Sequence, residues 1–176
     1  MPDLRERVED DRGLLKKIQL HIPGFAGYRR REDLRTADNL LRIQLADRIV
    51  KVKEKVEGAR QELVRNYQVA SLEPVGGLVF KLTELDGRVR HAEGGYSGIS
   101  ADIRVEEVEL NKLYEFDLAL FDGASALLAK ADELKAAARK EADAVLAAVD
   151  DFRAVAESFE DTFERRMKVI TGTEVA

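Results

Sequence analysis

The chain has 176 residues, of which 36% are charged and 45% hydrophobic, with three prolines, no tryptophan and no cysteine. The absence of cysteine excludes disulfides, thiolate catalysis and cysteine-ligated metal sites. The sequence contains neither a signal-peptide core nor a run of about 20 apolar residues, and therefore predicts a soluble, cytoplasmic protein without a transmembrane segment.

The net charge of −5 is distributed unevenly along the chain. Residues 1–72 include 16 basic and 12 acidic residues, whereas residues 104–176 include 10 basic and 17 acidic ones. Because opposite net charges attract, we expect the first and last parts of the chain to pack against each other. A high charged fraction at ordinary hydrophobicity is typical of amphipathic helices with large solvated surfaces.

The first predicted element is a helix over about residues 4–20, in which Leu15 and Ile18 lie near one face. A loop over 21–31 follows, because Pro23 disfavours helical geometry in the residue before it. This loop also contains two glycines, which are typical of turns.

A long second helix is predicted over residues 32–71. Its apolar residues recur every 3.6 positions, which is the period of a straight α-helix. A helix of 40 residues would be a rod about 60 Å long. These residues are Leu34, Ala37, Leu41, Leu45, Ile49, Val52, Val56, Ala59, Leu63, Tyr67 and Ala70. We expect a loop over 72–77, because Pro74 and the pair Gly76-Gly77 interrupt helices.

Residues 78–92 fit two patterns. The spacing of Leu78, Leu82, Leu85 and Val89 predicts a helix, whereas Asp86-Gly87 is a favoured two-residue turn of a β-hairpin. We favour the helix, because the second arm of the hairpin would contribute little apolar surface and an isolated hairpin is marginal in water.

The glycine-rich segment that follows predicts a loop over 93–104, and a second long helix is predicted over 105–170. Its apolar spacing averages about 3.56 residues, between a straight helix and a left-handed coiled coil. Gly123 is the position at which this helix could kink or break. Together these elements predict an all-α fold, an elongated antiparallel helical bundle of 1–176 as a single domain, with two long helices and coiled-coil character.

Two glycine-containing loops and one basic run are the candidate interaction sites. Each loop pairs small residues with an aromatic residue, which is typical of a close-fitting interface and equally of a corner packed onto helix ends. The basic run lies at the expected start of the second helix, where cations oppose the helix dipole and favour an acidic partner or a phosphate. The candidate residues are Phe25, Tyr28, Arg29, Arg30, Arg31, His91 and Tyr96.

Residues that could support catalysis or metal binding are few. Neither His21 nor His91 belongs to a Glu-x-x-His or His-Glu-x-x-His motif, so we expect each to be exposed or to serve a helix end. Carboxylates are abundant near the start of the last helix, and we interpret them as a solvated face; they include Glu106, Glu107, Glu109, Glu115, Asp117 and Asp122. No cofactor and no metal site are expected.

The sequence therefore favours a non-enzymatic helical scaffold or adaptor that acts through a protein partner or as a homo-oligomer. One alternative is an enzyme that binds a small ligand or metal near the Gly94–Gly98 loop. A second alternative is a peripheral membrane or nucleic-acid binder that uses the basic second helix, although the pI near 5.3 argues against nucleic acid.

Overall fold

The computed structural model describes residues 4–25, 27, 31–92 and 107–171, and the side chains of 13–25, 27, 36–92 and 111–170. Within these residues there is no strand, and the all-α fold class is confirmed. The elements are α1 (Leu4–His21), α2 (Arg31–Arg65), a 3₁₀ turn (Val69–Ser71), α3 (Leu72–Arg90), α4 (Glu107–Ala137) and α5 (Ala142–Thr171). No described helix is both long and apolar enough to cross a membrane.

The helices form two helical hairpins that pack side by side. Helix α2 folds back into α3, helix α4 folds back into α5, and the hairpins meet through contacts of α2 with α4 and of α3 with α5. The two turns lie at the same end, because the side-chain amides of Asn66 and Gln68 donate hydrogen bonds to the carbonyl oxygen of Ala138. We call this end, with its turns at 66–71 and 138–141, the closed end.

Several ion pairs between the hairpins agree with the charge asymmetry of the sequence, whereas Arg139–Glu62 and Arg166–Asp38 have the opposite polarity. Lys55 of α2 contacts Asp132 of α4, and Arg88 of α3 contacts both Glu160 and Glu164 of α5. In each of these contacts the base comes from the first hairpin and the acid from the second. The expected attraction between the two parts of the chain is therefore found in these contacts.

A single apolar core runs through both hairpins, and α1 packs on it mainly through α4. Each helix contributes residues three or four positions apart, as expected for one buried face of an amphipathic helix. The buried residues with no more than 1% exposure include Ile18, Leu45, Val52, Leu63, Leu78, Leu85, Leu120, Leu127, Val145 and Phe152.

The expected uninterrupted helix over 32–71 is wrong at its end. Helix α2 stops at Arg65, and Tyr67 adopts a left-handed backbone conformation with φ of 56°. The expected loop over 72–77 is instead the beginning of α3. Pro74 is tolerated there because the first-turn N–H groups of a helix have no intrahelical acceptor.

The expected single helix over 105–170 is also wrong, since it divides into α4 and α5 at residues 138–141. The division does not occur at Gly123, which lies inside α4. A Cβ at that position would lie 3.1 Å from the ring of Phe159, so the glycine serves close packing between α4 and α5. Folding back at 138–141 lets the apolar face of α5 cover that of α4, which one long helix would leave exposed.

Residues 78–92 fall almost entirely within α3, so the helix is confirmed and the β-hairpin is wrong. Helix α3 begins six residues earlier than expected and has 19 residues, against 35 in α2. It therefore ends well before the start of α2 is reached. The coiled-coil character of the long helices stays a prediction.

The chain between α1 and α2 depends on a close approach at Gly27. This glycine has φ of +81°, and a Cβ there would lie 2.6 Å from the hydroxyl oxygen of Tyr114. We expect Gly27→Ala to lower the free energy of unfolding by about 2 kcal/mol or more, because a positive φ and a steric overlap act together. Urea denaturation measures this change.

Gly24→Ala is the matched control, since Gly24 has φ of +85° but no atom within 4 Å of the position that a Cβ would occupy. Gly24→Ala should lower the free energy of unfolding by only about 1 kcal/mol, the cost of placing alanine at a positive φ. Equal losses in the two variants would show that the contact between Gly27 and Tyr114 is unimportant.

Candidate functional site

The structure describes the side chains of two candidate residues from the sequence analysis, of which Phe25 is buried and His91 is exposed. Phe25 is 1% exposed, and its carbonyl oxygen accepts a hydrogen bond of 2.9 Å from the side chain of Gln19. Its position matches the packed corner rather than an accessible interface. His91 is exposed just after α3, where its backbone N–H donates to the carbonyl oxygen of Gly87.

Most of the other candidates cannot be placed. Arg31 is the first residue of α2. Tyr28, Arg29, Arg30 and Tyr96 lie outside the described residues, as does the Gly94–Gly98 loop. Their proposed interaction roles stay predictions.

The closed end carries the densest group of exposed apolar side chains among the described residues. Tyr67 is 89% exposed, Val69 is 72% exposed and Val64 is 58% exposed, all within six positions of the chain. We call these three residues the apolar tip. Exposed apolar groups this close together are typical of surfaces that bind another molecule.

The apolar tip is fixed by hydrogen bonds on both sides of Tyr67. Asn66 donates to the carbonyl oxygen of Ala138, and Gln68 donates to those of Ala138 and Lys140. These carbonyls follow the last turn of α4, so the amides of the first hairpin satisfy acceptors that the helix end leaves open. The turn is therefore attached to the second hairpin.

Tyr67 was expected in the buried stripe of the second helix, and that assignment is wrong. Sequence periodicity placed it four residues after Leu63, which is buried. The signal that could have corrected it is Asn66, since asparagine is favoured near helix ends and in turns.

Four charged side chains are buried together at the level where α3 ends. Asp38 accepts hydrogen bonds from Arg42 at 2.7 Å and from Arg166 at 2.6 Å, and Arg166 also donates to Asp117 at 2.6 Å. None of the four is more than 1% exposed. We call this alternating chain of two cations and two anions the buried charge network.

The buried charge network also closes the end of α3. The guanidinium of Arg42 donates to the backbone carbonyl of Arg90 at 2.8 Å and, at 3.5 Å, to that of Val89. A cation at a helix C-terminus satisfies open carbonyls and interacts favourably with the helix dipole. The network therefore connects α2, α3, α4 and α5.

The interpretation of the carboxylates near the start of α4 as a solvated face is wrong for Asp117, which is fully buried. Glu115 and Asp122 are exposed, and the side chains of 106–110 are not described. The sequence does contain a signal for this network. Asp38 and Arg42 are spaced as an i, i+4 ion pair, and Arg166 lies between Phe163 and Ile170 at the spacing of a buried helix face.

A third arrangement joins α1 to the hairpins. The ring of His21 stacks on Phe121 with centroids 4.8 Å apart and an interplanar angle of 4°. The guanidinium carbon of Arg48 lies 4.6 Å from the centroid of the same Phe121 ring, and Nη2 of Arg48 lies 3.3 Å from Nδ1 of His21. We call these three residues the aromatic cluster. The sequence did not predict it, because it joins three separate helices.

In the part of the chain that the structure describes, no group of three or more His, Asp or Glu side chains could hold a metal ion. One cavity is a groove of about 420 Å³ on α2, open to solvent and lined mainly by polar and charged residues. Its lining is Gln44, Asp47, Arg48, Val50, Lys51 and Glu54.

The geometry defines an all-α protein of two packed helical hairpins, with an apolar tip at one end and a buried charge network towards the other. No protein-family model, curated protein or solved structure matches this chain.

Replacing one member of the buried charge network tests its importance. Arg166→Met leaves two buried carboxylates without their shared cation, so we expect the free energy of unfolding to fall by about 3–5 kcal/mol. Urea denaturation followed by circular dichroism measures this loss.

Arg153→Met is the control, because Arg153 lies on the same helix and forms an exposed pair with Asp150. Its denaturation midpoint should not change measurably, as is usual for surface ion pairs. Similar losses in both variants would contradict a special role for the buried charge network.

Proposed function

We propose that the chain is a non-enzymatic helical scaffold that contacts a protein partner through its apolar tip. The observation that carries this proposal is the conformation of Tyr67, whose exposed ring stands on a backbone with φ of 56°. A bulky residue in this region is under local strain, and such outliers concentrate at functional positions.

The attachment of the turn supports the same proposal. The amide side chains of Asn66 and Gln68 are hydrogen-bonded to the second hairpin, so the backbone of Tyr67 between them is held in place. A turn whose backbone is held before binding loses less conformational entropy when a partner covers it. Tyrosine is also one of the residues that contribute most to protein–protein contacts.

The charges at the closed end indicate the chemistry of the partner. Residues 60–73 and 138–143 together contain four basic and four acidic residues. Some of these pair with each other, since Glu62 contacts Arg65 at 3.1 Å and Arg139 at 3.9 Å. A balanced rim around an apolar centre suits a protein pocket better than a polyanion or an anionic membrane.

The alternative contact with a membrane or nucleic acid through α2 has less support. Lys51, Lys53 and Lys55 alternate with Glu54 and Glu57 along this helix. Lys55 already pairs with Asp132 of α4. The remaining positive charge is therefore not gathered into a continuous basic face.

Position-specific cross-linking tests the proposal. Tyr67→p-benzoylphenylalanine, irradiated in a lysate of the source cells, should give one discrete adduct, because the probe occupies the proposed contact. The adduct should be lost when Val64→Ser and Val69→Ser are added. Its mass identifies the partner, and twice the mass of the chain would assign the contact to a second copy.

Leu20→p-benzoylphenylalanine is the control, since Leu20 is an apolar residue of similar exposure that lies on α1 and not in the turns of the closed end. An adduct of the same size from both positions, or none from position 67, would contradict the proposal.

A second measurement separates binding from folding. Tyr67→Gly should raise the free energy of unfolding by about 0.5–1 kcal/mol, because glycine accepts a positive φ without strain. When added in excess without the cross-linker, the same variant should not reduce the yield of the adduct, whereas the wild-type chain should. A variant that is less stable than the wild-type chain and still reduces the adduct equally well would contradict the assignment of Tyr67 as a contact residue.

A further inference from the structure

Helix α1 depends on the aromatic cluster for part of its attachment. Its main contacts are with α4, and its last residue, His21, stacks on Phe121 of that helix. The turn after α1 brings Ile22 and Phe25 into the core, where both are 1% exposed. Release of this segment would therefore uncover apolar surface on α1 and on α4.

The hydrogen bond between Arg48 and His21 specifies the protonation state of the imidazole. A guanidinium can only donate hydrogen bonds, so Nδ1 of His21, 3.3 Å from Nη2 of Arg48, must act as the acceptor. This assignment places the ring proton on Nε2 and leaves the imidazole neutral. A second proton on Nδ1 would place two hydrogen-bond donors, and two positive charges, of His21 and Arg48 next to each other.

The charged groups that face His21 come from both hairpins. Arg48 approaches from α2, and Asp122 of α4 provides the opposite charge. Lys17, one turn earlier on α1, is exposed. Burial and then the Arg48 guanidinium lower the pKa of His21 below its ordinary value of 6.5, and the Asp122 carboxylate opposes them only in part.

We propose that the docking of α1 on α4 is acid-sensitive, so that α1 is held tightly while His21 is neutral and more weakly when His21 is protonated. The geometry of the aromatic cluster carries this inference, since one proton removes the acceptor that Arg48 uses. It is independent of the apolar tip, which lies at the closed end.

The direction of the pH dependence follows from linkage. Because His21 has the lower pKa in the docked state, that state binds fewer protons than the released state, and docking reaches full strength at pH values well above 6.5. Docking weakens as the pH falls below this value. At pH 5.5 the loss in the docking equilibrium constant reaches at most about tenfold for a single histidine.

Amide hydrogen exchange of residues 13–22, corrected for the pH dependence of intrinsic exchange, measures docking. Between pH 7.5 and pH 5.5 the protection of this segment should fall by several-fold and up to about tenfold, relative to that of α4 and α5. Nuclear magnetic resonance titration should give His21 a midpoint below 6.5. Constant protection of the segment would overturn the proposal.

Substitutions of the two histidines make the test specific. His21→Gln retains an acceptor for Arg48 and cannot titrate, so its protection should not change with pH. His21→Phe retains the stacked ring and should also be independent of pH, even if docking is weaker. His91→Gln should keep the full wild-type dependence, because His91 is the other histidine of the chain and is exposed. A wild-type response in His21→Gln, or its loss in His91→Gln, would overturn the proposal.

Discussion

The buried charge network is the constraint on which the packing of the hairpins depends. An apolar stripe alone allows one helix to slide past another by a turn, since each turn presents similar side chains. Four buried charges do not allow this, because a charge removed from water is costly unless a partner lies within hydrogen-bond distance. Asp38, Asp117 and Arg166 satisfy that condition only in one relative position of α2, α4 and α5. We therefore interpret the network as the element that sets their register.

The network lies at the level where α3, the shorter helix of the first hairpin, ends. Helix α3 ends at Arg90, and its carbonyl groups face the interior at the level of Arg42. Apolar side chains could not satisfy those carbonyls, whereas a guanidinium can, because it has five donors in one plane. Asp38 then offsets the charge of Arg42, and Arg166 and Asp117 complete a neutral set. The short length of α3 and the buried charges are thus two aspects of one arrangement.

Sequence periodicity predicted which segments are helical, but it did not place the turns inside the two hairpins, at 66–71 and 138–141. The break at 138–141 contains no glycine or proline, and the apolar spacing continues through it from Leu134 to Val145. A pattern that keeps its phase cannot distinguish one long helix from two that fold back. Pro74 and Gly76 led to a loop being predicted at 72–77, six residues after the observed turn at 66–71. Both residues are compatible with the first turns of α3. The aromatic cluster joins distant segments, so local patterns could not reveal it. For the network, local patterns indicate the Asp38–Arg42 pair and the inward position of Arg166, but not that these groups meet.

The two ends of the molecule differ in how their energetically unfavourable groups are accommodated. The buried charges are satisfied inside the protein, whereas the ring of Tyr67 is left to solvent, although the backbone N–H groups of Tyr67 and Gln68 close α2 by donating to the carbonyls of Val64 and Leu63. Glycine or asparagine would remove the strain of the positive φ at Tyr67 without disturbing the amides on either side. The side chains of Asn66 and Gln68 also donate to carbonyls of the second hairpin, at Ala138 and Lys140, so the position of the turn relative to the second hairpin depends on the packing of the two hairpins. A partner that recognises the apolar tip would therefore recognise the assembled protein, whose register the buried charges determine.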